Sequence, residues 1–371
     1  MKTVLKCAAC LGVLLASQMT RGQSCRPLEQ KVFYQYDPSH RIYPESAVVL
    51  ETKHAPGSLS ILISVARRIG GQWQQRILQS KDMGRHWVQV GAQDIPTPLA
   101  LSGSNFAQAP SDPRVQYKYI ERKKTYDRSQ NGGATWIAPR NLIGTIRPHQ
   151  FAQTTSGSNT YETEFALAAI DPSKPLVIFA TIRLTATGTS AGDGRLPINA
   201  GLYRSSDGGE HWEKVTGDIE FGSPIGIDPS NPAVMYGYGM AGFLGVLKTT
   251  DGGATWKLTP EQHLMEQRPL LMAEQNSSKT LGVPTGLTVK QFAIDPSTNL
   301  VYIVSTKGIY RSDNHGDTWC LLNTGNDFLD SAYSLAFDPD NSSRIFLGTR
   351  FGVLYSADRG DTFTGIYPAK K

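Results

Sequence analysis

One eight-residue pattern recurs six times along the 371 residues of this chain. It reads Ser/Thr-x-Asp/Asn-x-Gly-x-x-aromatic, and five of the six tryptophans occupy its last position. We call these segments turn repeats 1 to 6; in chain order they are Ser80–Trp87, Ser129–Trp136, Ser205–Trp212, Thr249–Trp256, Ser312–Trp319 and Ser356–Phe363. Because a recurring unit of this kind is typical of solenoids and propellers, the pattern constrains the fold more strongly than composition does.

Each turn repeat predicts a tight hairpin turn. The Asp or Asn at the third position can accept bonds from backbone N–H groups, and the Gly at the fifth position tolerates a positive φ. The closing aromatic residue is expected to fold back over the turn and bury its ring at the edge of the sheet. The predicted structural residues are Asp82, Trp87, Asn131, Trp136, Asp207, Trp212, Asp251, Trp256, Asn314, Trp319, Asp358 and Phe363.

Strand signals surround most of the turn repeats. An apolar segment that ends in Asp-Pro comes first, as in Ala293–Ser297, and a strand rich in β-branched residues follows, as in Leu300–Val304. A glycine leads into the strand before the repeat, as in Gly308–Ser312, and a short strand such as Trp319–Leu322 comes last. Four antiparallel strands in each unit predict the blade of a β-propeller.

The spacing of the turn repeats counts the blades. Their first residues are 49, 76, 44, 63 and 44 positions apart, and a four-stranded blade takes about 40–45 residues. We therefore predict an all-β chain with a single β-propeller of six four-stranded blades. Thr364–Tyr367 would form the last outer strand, and Lys31–Tyr36 could add a strand to the final blade. Seven blades are the alternative, if the segment 137–165 contains a degenerate one.

The longer spacings predict insertions, which are common places for binding on a rigid scaffold. The segments 137–165, 185–199 and 257–290 exceed a bare blade, and Glu261–Arg268 predicts a short helix within the last of them. Glu162 and Glu164 are paired carboxylates at the edge of an insertion, and exposed polar strand residues explain them equally well.

The first 24 residues predict a secretory signal peptide. Lys2 and Lys6 precede an apolar run from Cys7 to Ala16, which is too short to span a bilayer. Cleavage between Thr20 and Cys25 would leave residues 25–371 as the propeller domain, and a lipid anchor on Cys25 is the alternative. The expected localisation is secreted or periplasmic, without a membrane span.

Loss of residues 1–24 would remove three cations and two cysteines, so that the formal net charge falls from +5 to about +2. This balance, without a long run of Lys or Arg, gives no electrostatic footprint for nucleic acid. Cys25 and Cys320 would remain, and an oxidising compartment makes them a candidate disulfide, with two unrelated thiols as the alternative. The His and Cys spacings do not match a metal site, and we expect a monomer with neither a metal nor a cofactor.

Ligands of propellers usually bind to loops at one end of the ring, around the central channel. The loops expected at that end carry Arg41, Arg183, Lys307 and Arg350, and Tyr238 lies beside them. These cations favour an anionic ligand, because arginine can hold a carboxylate through two parallel hydrogen bonds. Ordinary solvated loop residues are the alternative interpretation.

Over nearly the whole of residues 25–371, the turn repeats resemble the Asp-box of the bacterial neuraminidase (BNR) repeat superfamily of sialidase-like propellers. The Asp-Pro turns and the Gly-x-Tyr-Arg-Ser segment are also similar to repeats of xyloglucanase-type glycosidases, sortilin-type receptor domains and the photosystem II assembly factor. The last of these is similar in overall plan, being a single exported propeller that binds protein and has no catalytic machinery. The resemblance therefore implies a non-catalytic module that recognises a protein or a glycan.

A sialidase-type glycoside hydrolase is the alternative that the resemblance implies. Arg41-Ile42-Tyr43-Pro44 is similar to the Arg-Ile-Pro motif of sialidases, whose arginine clamps the carboxylate of the sugar, although Tyr43 is inserted here. Sialidases place a catalytic Asp in the stretch that follows, whereas residues 45–81 contain no Asp. No catalytic residue is assigned, and a binding role is favoured over an enzymatic one.

Overall fold

The computed structural model describes residues 46–55, 58–69, 72–91, 106–120, 125–138, 160–187, 198–215, 221–239, 245–259, 288–295, 297–298, 300–306, 308–322, 332–350 and 352–368. In these ranges the protein is all-β, and six antiparallel sheets follow one another along the chain, each with one turn repeat. The same ranges contain no helix that is long and apolar enough to cross a membrane. The predicted signal peptide and the predicted helix Glu261–Arg268 lie outside the described residues.

The sheets form the blades of a six-bladed β-propeller, as the repeat spacing predicts. Blades 1 to 3 consist of β1 (Ser46–Ala55), β2 (Ser58–Ile69), β3 (Gln72–Ser80) and β4 (Val88–Gly91); β5 (Phe106–Gln108), β6 (Gln116–Ile120) and β7 (Thr125–Ser129); and β8 (Thr160–Ile170), β9 (Ile178–Thr187), β10 (Ile198–Ser205) and β11 (Glu213–Lys214). Blades 4 to 6 consist of β12 (Phe221–Ile227), β13 (Met235–Gly239), β14 (Val246–Thr249) and β15 (Lys257–Thr259); β16 (Val289–Ile294), β17 (Val301–Ser305), β18 (Gly308–Ser312) and β19 (Cys320–Leu321); and β20 (Ala332–Asp338), β21 (Asn341–Thr349), β22 (Gly352–Ser356) and β23 (Thr364–Tyr367).

Blade 2 has the smallest sheet. Three of its strands are regular, and the position of the fourth strand is reduced to an isolated bridge between Arg128 and Ile137. Ile137 and the start of β8 are the described parts of the segment 137–165, and residues 139–159 lie outside the described ranges. Thr364–Tyr367 is the last outer strand, whereas Lys31–Tyr36 also lies outside them.

The first strand of each blade lies towards the centre of the ring, because first strands of neighbouring blades contact one another. β12 contacts β8 and β16, and β20 contacts β16 and β1. Hydrogen bonds between the inner strands β20 and β1 also join blade 6 directly to blade 1. The backbone N–H of Val49 donates to Ser334 Oγ over 2.8 Å, and the hydroxyl of Thr52 donates to the carbonyl of Phe337. Blade 6 therefore packs against blade 1 and closes the ring.

The apolar core is divided among the junctions between blades. Five clusters of buried side chains each join two neighbouring blades, namely 2 and 3, 3 and 4, 4 and 5, 5 and 6, and 6 and 1. A second strand is covered on both faces in this arrangement, and all five residues of β17 are buried. This double burial explains why β17 is an almost continuous apolar run without a polar face.

Candidate recognition face

The turn repeats form one kind of internally bonded turn. In turn repeat 4 the hydroxyl of Thr249 accepts from the N–H of Gly253 over 3.1 Å and donates to Asp251 Oδ1 over 2.7 Å. Asp251 Oδ1 also accepts from the N–H of Thr255 over 2.9 Å. The same three bonds occur in the other five repeats. The Oδ1 atom of the Asp or Asn at the third position therefore already accepts hydrogen bonds from its own turn.

These bonds hold the turn carboxylates in the ionised state. The backbone N–H and the side chain of His86 lower the pKa of Asp82 to about 2. The hydroxyl and the N–H of Thr255 lower the pKa of Asp251 to about 2 as well. A group with so low a pKa is a poor proton donor near neutral pH. Asn131 accepts the same turn bonds with an uncharged amide, so that the turn does not depend on a carboxylate.

The tryptophans that close the turn repeats donate hydrogen bonds from Nε1 to two kinds of acceptor. Trp212 and Trp256 each donate from Nε1 over 2.9 Å to a carbonyl of their own turn. Trp87 instead donates to the carbonyl of Ile366 over 3.2 Å, and Trp319 donates to Thr259 Oγ1 over 3.1 Å. The last two acceptors lie on the outer strand of the preceding blade. A turn repeat can therefore contribute to the junction between blades as well as to its own hairpin.

Three of the predicted ligand-binding residues, Arg183, Tyr238 and Arg350, are described, and they lie at the end of the blades opposite the turn repeats. The turns between second and third strands lie at this end, which we call the connecting end. Arg350 follows β21 at this end and is exposed. Arg183 lies in β9 with its backbone paired to Glu164 and Asn199, and only its backbone is described. Arg41 and Lys307 lie outside the described residues.

Tyr238 lies at the same end but has a different environment. It is 5 % exposed and belongs to an apolar cluster with Val246 of its own blade and Val289 of blade 5. Its ring therefore packs at the junction between two blades and does not present a face to solvent. Both faces of this strand are buried, so that an aromatic residue near its end turns inwards.

Lys290 is a further cation at the connecting end, and the sequence did not predict it as a binding residue. Its Nζ donates to the carbonyl of Ala332 over 2.7 Å and lies 4.5 Å from the centroid of the Tyr333 ring. The contact joins the start of β16 to the start of β20, where first strands approach the channel. Burial lowers the pKa of the Lys290 amine. The sequence signal is a Lys-Gln pair within an otherwise apolar inner strand.

Gln291 holds this pair of strands in register. Its Nε2 donates to the carbonyl of Leu335 over 2.9 Å, and its Oε1 accepts from the N–H of the same residue over 2.7 Å. The side chain is buried and spans blades 5 and 6. Lys290 and Tyr333 are thereby placed at a rigid junction, and Arg350 belongs to the same end of blade 6.

Within the described ranges, no three His, Cys, Asp or Glu side chains are grouped so that they could hold a metal ion. Cys320 forms a disulfide bond. The other three cysteines of the chain all lie outside the described residues, so that the pairing of Cys320 with Cys25 stays a prediction. The side chains of Glu162 and Glu164 are likewise not described.

Neither a family model nor a curated protein matches the chain. Among solved structures, a GH74 xyloglucanase from Xanthomonas campestris is 17 % identical with a TM-score of 0.43, over 83 % of this chain and 45 % of that one. An ancestral GH74 enzyme is 16 % identical with a TM-score of 0.41, over 84 % and 36 %. A mutant α-L-arabinofuranosidase from Fusarium graminearum is 12 % identical with a TM-score of 0.38, over 87 % and 91 %. The chain spans less than half of the two GH74 enzymes, and no activity or ligand is transferred from these distant similarities.

Proposed function

We propose that this chain is an exported Asp-box propeller that recognises an anionic group at its connecting end without turning the ligand over. The observation that carries the proposal is the arrangement around Lys290, whose ammonium group lies beside Tyr333 at the start of two inner strands. A partly desolvated cation beside an aromatic ring attracts an anion more strongly than a fully solvated lysine does. Arg350 adds an exposed guanidinium group at the same end of blade 6.

The turn repeats support a binding role over a catalytic one. Glycoside hydrolysis usually needs two carboxyl groups beside the bond to be cleaved, one of them able to give up a proton near neutral pH. The carboxylates of the turn repeats accept bonds from their own turns, and Asp82 and Asp251 have a pKa of about 2. We therefore assign the turn repeats to the scaffold and the ligand contacts to the connecting end.

The proposal also includes the export of the chain. Residues 1–24 would direct secretion to an extracellular or periplasmic compartment, and residues 25–371 would act as one recognition domain. The ligand is then a protein or a glycan of that compartment, and its anionic group is a carboxylate that Arg350 can hold through two bonds.

Binding of the purified chain to a glycan array, together with pull-down from the native compartment, tests the proposal. Arg350→Gln should weaken binding of an anionic ligand at least about tenfold, because it removes a charge-assisted contact. Lys290→Gln should weaken it as well, once an unchanged circular dichroism spectrum has shown that the ring is intact. Arg85→Gln is the matched control, since Arg85 is an exposed cation in a turn repeat at the opposite end.

Two results would contradict this proposal. The first is ligand binding that Arg350→Gln and Lys290→Gln leave unchanged. The second is turnover of a fluorogenic sialoside by the purified protein, lost in Arg41→Ala, which would establish the sialidase-type alternative with Arg41 as the carboxylate clamp.

A further inference from the structure

A set of three side chains ties neighbouring blades together at the end that carries the turn repeats. It consists of a tyrosine in the second strand, a cation directly before the turn repeat, and an acid at the sixth position of the next turn repeat. Between blades 5 and 6 these residues are Tyr302, Arg311 and Asp361. Tyr302 pairs with Arg311 in the sheet register, and Arg311 Nη1 lies 2.8 Å from Asp361 Oδ1.

Two other junctions contain the complete set. They are Tyr117, Arg128 and Glu210 between blades 2 and 3, and Tyr236, Lys248 and Asp317 between blades 4 and 5. The cation–acid distances there are 3.2 and 2.9 Å, and the cationic side chains are only 8 % and 17 % exposed. Two further junctions have neither the cation before the repeat nor the acid. Between blades 1 and 2 the corresponding residues are Gln79 and Ala134, and between blades 6 and 1 they are Tyr355 and Arg85.

The junction between blades 3 and 4 has the cation alone. Arg204 precedes turn repeat 3, but the residue opposite it is Phe179, and Ala254 takes the position of the acid. Arg204 Nη1 instead pairs with Glu213 of its own blade over 2.7 Å. The Arg204 side chain is 34 % exposed, whereas the corresponding cations of the complete junctions are only 8 %, 15 % and 17 % exposed.

A cavity of about 430 Å³ lies at this incomplete junction. Its size falls within the range of ordinary ligand pockets, which extends from about 300 to about 1,000 Å³. The half-buried Pro232 and Ala233 contribute apolar surface to its lining, and Arg204 and Lys174 contribute two cations. Three carboxylates, those of Asp171, Glu213 and Asp251, also line the cavity and outnumber its two cations. Glu213 pairs with Arg204, and the backbone and hydroxyl groups of their own turns donate to Asp171 and Asp251.

We propose that this cavity binds a small carboxylate, with Arg204 holding the carboxylate group where the complete junctions place an acid of the next blade. Ala254 leaves room at that place, and Pro232 and Ala233 offer an apolar surface to the body of the ligand. The guanidinium group has five N–H donors, of which Nη1 bonds to Glu213, so that Arg204 can hold a second carboxylate without releasing the first. This site lies at the opposite end of the blades from Lys290 and Arg350 and is independent of the function proposed above.

Thermal shift and isothermal titration on the whole purified chain test this site. The probes are glucuronate and butyrate, each with a neutral counterpart that has no carboxylate, glucose and butyramide. We expect at least one carboxylate to raise the Tm at concentrations up to about 10 mM, since a small ligand with one charged contact binds in the millimolar range. The neutral counterparts should leave the Tm unchanged, and the two carboxylates tell a sugar acid from a simple aliphatic acid.

Three variants separate the site from general effects. Ala254→Glu supplies the missing acid from the protein itself, so it should abolish the ligand-induced shift while the Tm without ligand stays equal or rises. Arg204→Gln should weaken binding at least about tenfold. Lys248→Gln is the matched control, because it removes the corresponding cation of a complete junction and should leave carboxylate binding unchanged.

Three outcomes would overturn the proposal. The first is that neither carboxylate shifts the Tm of the unmodified chain. The second is a shift that persists in both Ala254→Glu and Arg204→Gln. The third is an equal loss of binding in Lys248→Gln, which would mean that stability and not the cavity controls the effect. None of these outcomes depends on ligand binding at Arg350.

Discussion

The hydroxyl of Tyr302 donates a hydrogen bond of 2.9 Å to the carbonyl oxygen of Arg359, a residue of the next blade. Tyr236 makes the equivalent bond of 2.8 Å to the carbonyl of His315 one blade earlier. Each acceptor is the fourth residue of a turn repeat, where the backbone has a positive φ. The unusual turn conformation thus presents a carbonyl group to the preceding blade, and the turn repeats act as connectors between blades.

Tyr302→Phe should destabilise the protein by about 1–2 kcal/mol, because it removes a partly buried hydrogen bond and leaves the packing intact. Arg311 Nη1 also donates to the Arg359 carbonyl over 2.9 Å, which limits the loss. Urea denaturation followed by tryptophan fluorescence measures the change in the free energy of unfolding. An unchanged free energy would show that the bond between the blades adds nothing to stability.

Tyr302, Tyr236 and the equivalent tyrosine of blade 2, Tyr117, predict a loss of stability at alkaline pH. Burial raises the pKa of Tyr117, Tyr236 and Tyr302 above the ordinary value of about 10. Their phenols stay protonated in the folded state at a pH where those of the unfolded chain ionise, so that stability falls as the pH rises above about 10. Each such phenol adds about 1.4 kcal/mol per pH unit to the slope.

The slope can be measured by denaturation at several pH values above 10. Tyr302→Phe should have a shallower pH dependence than the unmodified protein, although it starts from a lower stability. A parallel pH dependence in the two proteins would contradict a raised pKa of Tyr302 in the fold.

Two glycines, at the fourth position of turn repeat 4 and the fifth position of turn repeat 5, allow backbone strain and packing to be compared. Gly252 and Gly316 have φ angles of 73° and 84°, and a Cβ at Gly252 would meet nothing within 4 Å. A Cβ at Gly316 would lie 2.6 Å from Tyr236 Cε1 of the preceding blade. Gly252→Ala should therefore cost about 1–2 kcal/mol from the left-handed conformation alone. Gly316→Ala should cost about 1–3 kcal/mol more, because the junction must rearrange.

Thermal denaturation of the two variants in parallel gives the difference. Equal losses of stability would mean that the turn repeat does not pack against the preceding blade as described. A larger loss in Gly252→Ala than in Gly316→Ala would contradict the proposed order of the two effects.

The sequence predicted what depends on local contacts. The bonds from Ser or Thr to Asp or Asn and Gly all lie within one eight-residue turn repeat, so that the pattern itself encodes them, and the spacing of 44 residues counted the blades. Contacts between blades join distant positions, as Tyr302 and Arg359 are 57 positions apart. The burial of Tyr238 was not predictable from alternation, because both faces of its strand are covered. The pairing of a cation before one turn repeat with an acid in the next becomes visible only once the blades are in register.

Cys320 forms a disulfide bond, and we predict that its partner is Cys25. This bond would fasten the start of residues 25–371 to the outer edge of blade 5, and its loss should destabilise the protein by about 2–4 kcal/mol. Peptide mapping of the purified protein without reducing agent should yield a Cys25–Cys320 peptide. Two free thiols, or a different pairing, would contradict the prediction.

The turn carboxylates predict how stability responds to acid. The folded pKa of Asp251 is about 2, below its ordinary value of 3.8, because Thr255 and Thr249 donate hydrogen bonds to the carboxylate. A lowered folded pKa adds stability above the unfolded value, and that stability is lost as the pH falls from about 4 towards 2. Asn131 and Asn314 make the corresponding bonds with an uncharged amide, so that Asp251→Asn should preserve the turn. Denaturation between pH 7 and 2 should therefore show a smaller loss of stability in Asp251→Asn than in the unmodified chain. If the variant lost stability over the same interval and to the same extent, the bonds to Asp251 could not be the source of the acid sensitivity.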